Sequence, residues 1–445
     1  MPVHLDNVIF LEILMKENQI DHSSSAKIIS LRVLEELLGA RTTQEICFRL
    51  WDGTHWPDNR PRPATMVLNH PGALRAMFAS MNEIGLAEAY LYDDFNIDGE
   101  IERIYALSDH MIHSSTSLLK KVRFGWLVLR LPAYQEKRIE DRGPARMSGR
   151  RHSIERDRQA IRYHYDVSND FYALWLDRNM VYSCAYFQSP DENLDTAQER
   201  KLDYICRKLR FRPGQRMLDI GCGWGGLIKH ASGRYGVEAT GITLSRPQAE
   251  LANQRLAEAG LADQACVEER DYQDIPEVTP FDALVSVGMF EHVGAELLGT
   301  YFRKAYQILR PGGVFLNHGI ASTTYDNPRR GPTFSDRYVF PDGELTPLNR
   351  TLHAAEEAGF EVRDVESLRD HYVLTLRQWV KRLENNHQQA LNFVSEATYR
   401  VWRLFMSASA HGFASGRINV YQSLLVKPTE AGASNLPLTR ADWYA

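Results

Sequence analysis

The sequence predicts an α/β protein: a doubly wound sheet carrying a helical cap, preceded by a smaller N-terminal α+β domain. Three observations carry this reading. From about residue 163 to 428, apolar strand-like runs alternate with amphipathic helical ones, the pattern of a parallel sheet with ligands at the strands' carboxyl ends. A glycine-rich turn, LDIGCGWGGL at 218–227, stands between one such strand and the helix after it. At 445 residues the chain is also too long for one ordinary core, so a second domain is expected.

Taken in order, residues 1–118 hold short mixed elements. FRLWDGTHW and ATMVLNH read as strands separated by the loop PDNRPRP, and GALRAMFASM reads as a helix. Residues 119–162 are strongly basic, with Lys120, Lys121, Arg123, Arg130, Lys137, Arg138, Arg142 and Arg146 among the cations. Phe124, Trp126, Leu127, Leu129 and Leu131 interleave with them. This stretch reads either as a solvated linker or as a surface for anionic lipid headgroups. Within 163–428, RMLDIG, VEATGITL, ACVEERD, FDALVSVGM, VFLNHGI and INVYQSLLV read as strands, with PQAELANQRLAEAG, GTYFRKAYQIL and TLHAAEEAGF as helices between them. Two further helical stretches, YVLTLRQWVKRLENN and ALNFVSEATYRVWRLFMSASAHGF, precede the last strand and read as the cap. The tail, 429–445, is rich in Pro, Ala and Ser and is expected to be loose.

Bulk properties narrow the function. A 44% apolar and 24% charged composition is that of a water-soluble globular chain. A net charge of −5 argues against a nucleic-acid binder. No apolar run approaches the ~20 residues of a membrane span, and the N-terminus lacks the basic region of a signal peptide. The five cysteines are scattered without a CxxC pair, against a disulfide framework or a structural zinc site and in favour of a reducing cytoplasm. No His/Asp/Glu pair has metal-ligand spacing.

Gly221, Gly223 and Gly226 satisfy G-x-G-x-x-G, which alone marks many nucleotide-binding folds. Two features favour S-adenosylmethionine over a dinucleotide. Asp219 at the strand end gives D-x-G-x-G, typical of methyltransferases. Where a dinucleotide site expects an acid for the ribose, Thr243, Leu244 and Ser245 follow the next strand. With LRPGG at 309–313, the reading is a class I methyltransferase with a Rossmann-like sheet.

The run VSVGMFEHVG ends a buried strand and delivers Phe290, Glu291 and His292 in succession. Together with YSCAYF (182–187), HYDVSNDFY (164–172) and FLNHGI (315–320), it makes the chain resemble the cyclopropane-fatty-acyl-phospholipid synthase family, densely over 160–427 and thinly over 86–107. One departure is Ser168, where glycine is usual. The resemblance implies S-adenosylmethionine against Tyr182, Ser183, Gly221, Gly223, Thr243, Leu244, Gln248, Asp271 and Tyr272, beside the loop's own Asp219. It implies a second, buried site holding bicarbonate as general base, matched by Cys184, Glu291, His318, Ile320 through its backbone, and Tyr372. The substrates would be membrane phospholipids with unsaturated acyl chains, approached from the cytoplasmic face by a homodimer.

The chemistry fits these residue types. Methyl transfer to an isolated alkene leaves a carbocation, so water must be excluded. Aromatic faces such as Phe171, Tyr172, Tyr186, Phe187 and Phe290 can stabilise it. His318 and Tyr372 can donate to a small base, and Glu291 can accept its acidic proton. The expected product is a cyclopropane ring, with methylene- or methyl-branched acids as the alternative; small-molecule methylation and a non-catalytic lipid-binding role stand further off. Plainer readings exist: Glu291 as a helix N-terminal carboxylate, His318 as a satisfied core histidine, and Cys184 as packing.

Overall fold

The computed structural model describes residues 24–38, 45–105, 107, 118–133, 143–151, 153–165, 167–277, 280–323 and 332–444. Lys137, Arg138 and Arg142 of the basic segment lie outside them. The chain divides into two compact units, residues 1–143 with 395–404, and 144–394 with 405–445.

In the first unit four strands, β1 (Ile46–Arg49), β2 (His55–Trp56), β3 (Ala64–Leu68) and β4 (Phe95–Gly99), form a sheet in the order β2-β1-β3-β4. The run FRLWDGTHW is not one strand but a hairpin. Asp52 accepts from the Thr54 N–H, and Gly53 supplies the positive φ the turn needs. Residues 395–404, expected in the cap, belong to this unit. Arg400 donates to the Tyr90 carbonyl and to Asp93, and Arg403 to the Tyr90 hydroxyl. The basic segment contains the helix Leu118–Leu129, and the helix Ile154–Tyr165 begins near its end.

The second unit is built on seven strands: β5 (Arg216–Ile220), β6 (Glu238–Thr243), β7 (Ala265–Glu269), β8 (Phe281–Val287), β9 (Leu309–Ser322), β10 (Glu361–Ser367) and β11 (Ile418–Val426). Their order is β10-β11-β9-β8-β5-β6-β7. β5 and β8 are buried almost throughout, as central strands covered on both faces must be. The sheet is mixed, not wholly parallel: β11 runs antiparallel to both β9 and β10. The helices Arg369–Asn385 and Glu396–Ala414 both fall between β10 and β11. β10 escaped the sequence reading because EVRDVES is charged and lies largely at the surface.

The tail also departs from expectation. Trp443 is only 4% exposed and joins the core, while Asp442 pairs with Arg210 and Arg440 with Asp364. One indole supplies the apolar anchor that a Pro/Ala/Ser composition conceals.

Candidate active site

β5 ends at the glycine turn. Gly221 has a φ of +83°, and a Cβ there would lie 2.6 Å from the Met289 side chain, so only glycine fits both the turn and the neighbouring loop. The N–H groups of Gly221 and Cys222 both donate to the Ile242 carbonyl, tying the turn to β6. Above it opens a cavity enclosing ≈ 1190 Å³, part of it open solvent. Tyr182, Ser183, Asp219, Gly221, Gly223, Thr243, Leu244, Gln248, Asp271 and Tyr272 all line it, so the structure brings every expected cofactor contact to one place. Thr243 Oγ1 donates to Gln248 Oε1 at 2.7 Å, and Asp271 accepts from the Gln273 N–H at 2.8 Å. Asp219 Oδ1 is buried with no hydrogen-bond partner among the described residues. Burial raises the Asp219 carboxyl to about 7 against the pull of Lys201. An open acceptor, an indole wall from Trp224 and the glycine turn suit S-adenosylmethionine, which carries an amine, ribose hydroxyls and a flat base.

The five residues expected to hold a base lie along one lateral line across the sheet. Cys184 Sγ and the Tyr372 N–H both donate to the Leu368 carbonyl. The Leu368 N–H donates to the Val420 carbonyl, and Val420 stands opposite Ile320 in the β9–β11 ladder. The Ile320 N–H in turn donates to Glu291 Oε1 at 2.8 Å. His318 is two residues back on β9, on the same face as Ile320. This arrangement leaves the other Glu291 oxygen, Oε2, and His318 Nε2 buried and without partners among the described residues. One is an acceptor and the other a potential donor. Such orphaned pairs are costly unless a ligand completes them, and bicarbonate has the matching donor and acceptors. Desolvation raises Glu291 to about 7 and drives His318 well below the ordinary imidazole range, with the Lys201 and Lys208 charges adding to the effect. Burial likewise raises the Cys184 thiol, which stays protonated.

Aromatic rings connect the two places. Tyr172 packs 4.9 Å from Trp224 and 5.8 Å from Tyr182. Tyr182 lies 5.2 Å from Trp379, Trp379 6.0 Å from Tyr372, and Tyr372 4.7 Å from Phe413. Phe171 joins this series through Tyr172. Tyr186 does not: it stacks on His371 and lies against Tyr204. Phe187 is buried, its N–H donating to His371. Phe290 packs against β9 at Gly319, where a Cβ would come within 1.7 Å of its ring. Ser168, the departure from glycine, caps the helix Asn169–Ala173 by accepting from the Asp170 and Phe171 N–H groups. Its φ of 175° is ordinary extended backbone, so the substitution costs no strain.

Sequence reasoning missed Lys201, Asp157 and Trp224, all of which line the cofactor cavity. It also gave His292 no role, yet that side chain lines the same cavity. Lys201 had a signal. It falls on the apolar face of the helix Leu194–Leu209 with Leu194, Gln198 and Ile205, where a charge demands a reason. Its ammonium donates to Ser183 Oγ at 2.8 Å, and burial lowers it to about 8.

This sheet order, with a reversed strand next to its edge and a ligand cavity at the glycine turn, defines an S-adenosylmethionine-dependent methyltransferase. Residues 152–423 match the mycolic acid cyclopropane synthetase family, and the chain belongs to it. It is 41% identical over 401 residues to a probable fatty acid methyltransferase of Pseudomonas putida, covering 89% of this chain and 95% of that one. It is 37% identical over 269 residues to the cyclopropane-fatty-acyl-phospholipid synthase of Escherichia coli, covering 60% of this chain and 68% of the relative. The crystal structure of mycolic acid cyclopropane synthase CmaA1 complexed with SAH and CTAB superposes with a TM-score of 0.57 at 34% identity, covering 60% of this chain and 97% of that one.

Proposed function

We propose that this methyltransferase acts on the cis double bond of unsaturated phospholipid acyl chains and closes a cyclopropane ring. The observation carrying the reading is the orphaned pair of Glu291 Oε2 and His318 Nε2, buried beside a strand end whose neighbours Met289 and His292 line the cofactor cavity. When bound, S-adenosylmethionine supplies an electrophilic methyl and bicarbonate a small base. The chain does the rest. Asp219, Gln248, Asp271 and the glycine turn hold the cofactor. The ring series from Tyr172 to Tyr372 keeps water from the cation and faces it with π-electrons. Glu291, pinned by the Ile320 N–H, and His318 would hold the base, and Tyr372 would offer a further donor. Cys184 keeps its proton and presents no competing thiolate.

A second reading has a specific observation behind it: the Pseudomonas relative, matched along 95% of its length, is called a fatty acid methyltransferase, without mention of a ring. Here the same cation would lose a proton without closing a ring, leaving a methylene-branched or methyl-branched unsaturated chain; a saturated methyl branch would need a separate reductant. Both readings predict activity with purified protein, S-adenosylmethionine and vesicles of cis-monounsaturated phospholipid. Acyl chains should gain the mass of one methylene, more slowly when bicarbonate is stripped from the buffer. No mass gain on any unsaturated lipid would overturn both.

A further inference from the structure

A chain of contacts that starts in the C-terminal tail ends on His318. Lys208 lies on the buried face of the helix Leu194–Leu209, 1% exposed. Its ammonium donates to Gln422 Oε1 at 2.9 Å and to Glu366 Oε2 at 2.5 Å. An ammonium offers only protons, so it fixes the amide: the Gln422 oxygen faces Lys208 and the nitrogen faces away. Gln422 stands directly opposite His318 in the β9–β11 ladder, and its Nε2 lies 3.2 Å from His318 Nδ1. The amide nitrogen can only donate, so Nδ1 is the bare ring nitrogen and Nε2 carries the proton. That is the nitrogen with no partner among the described residues. Trp443 closes the far end, its ring 5.2 Å from Lys208 Nζ, with the Tyr204 ring at 4.5 Å.

We propose that Lys208, roofed by Trp443, is a positioning residue that acts through Gln422 to hold His318 as the Nε2–H tautomer. The role rests on the reading above, in which Nε2–H faces the base. It gives the tail, which lies beyond the family-matched residues 152–423, a part in catalysis without touching substrate. Outer partners that set a ring's tautomer are worth about 10- to 100-fold in comparable metal sites.

The test uses full-length protein with 15N-labelled histidine. The His318 signals are those absent from His318→Gln. In the wild type they should report a neutral ring protonated at Nε2. In Lys208→Met the amide is free to turn, and both tautomers should appear. The turnover number should fall about 10-fold while the cofactor dissociation constant changes by less than about 2-fold, the pattern of a lost outer partner. Lys208→Arg should restore most of the turnover and the single tautomer. Trp443→Ala should move both readouts the same way, by less. An unchanged tautomer in Lys208→Met and in Gln422→Leu would overturn the relay whatever turnover does. Mixed tautomers with full turnover would remove His318 from the reaction, and the positioning role with it. A turnover loss that Lys208→Arg does not rescue, with the tautomer intact, would mark Lys208 as packing only.

Discussion

Gly319 sets how closely Phe290 can lie against β9, and so where Glu291 begins. A Cβ there would meet the ring at 1.7 Å, with no flexible end to swing aside. Gly319→Ala is therefore expected to destabilise by about 1–3 kcal/mol, as overpacking does. Phe290→Leu should partly restore the melting temperature, and a wild-type melt for Gly319→Ala would show that the ring is not wedged there. Glu291→Gln keeps an oxygen for the Ile320 N–H but replaces the open acceptor by an amide. Turnover should fall by at least about 100-fold, within the range for acid–base groups, with S-adenosylmethionine binding retained. Undiminished turnover would sink the base site. Much at this scale was legible. D-x-G-x-G and the FEH run named residues that the fold brings together from distant positions. Lys201 and Lys208 went unread, although both fall on the apolar face of their helix, where a charge demands a reason. Tyr186 was misjudged: YSCAYF is one motif, but Tyr182 packs on Tyr172 and Trp379 whereas Tyr186 stacks on His371.

At the scale of elements, the helix Leu118–Leu129 carries the basic segment's chemistry. Phe124, Leu127 and Val128 are buried, whereas Val122, Trp126 and Leu129 are each more than half exposed. At 100° per residue these three form one stripe opposite the buried face, with Lys121 and Arg123 on its two flanks. Apolar residues between cations suit an anionic bilayer surface. The double substitution Trp126→Ser, Leu129→Gln should therefore lower sedimentation with phosphatidylglycerol vesicles several-fold, with turnover on detergent-dispersed lipid preserved. Sedimentation equal to wild type would assign the stripe elsewhere. The sequence showed the composition of this stretch but not which aromatic faced out, since helical phase is set by what the helix packs on. β10 and the direction of β11 were illegible for related reasons: an edge strand needs little apolar signal, and strand direction depends on the crossings before it. No described helix is long and apolar enough to cross a membrane.

The catalytic unit as a whole carries a pH signature of its buried carboxyls. Glu291 and Asp219 are each raised to about 7, from about 4 in an unfolded chain. Between those limits the folded state holds protons that the unfolded state has released. Their contribution to stability is therefore full below about pH 4 and is lost as pH rises through about 7. Lys201, lowered to about 8, works the other way, favouring the folded state only as pH rises above that value. The ligand-free protein should melt at progressively lower temperature from about pH 5.5 to 7.5, and Asp219→Asn with Glu291→Gln should flatten that slope. A slope unchanged in the double variant would contradict the burial assigned to them. The most direct test of ring closure is the fate of the methyl hydrogens and the double bond. With S-adenosylmethionine carrying a trideuterated methyl, ring closure gives an acyl product that keeps two deuterons and has no carbon–carbon double bond. A product that still takes up hydrogen across a double bond, with two deuterons or three, would contradict it and establish the branched-chain reading.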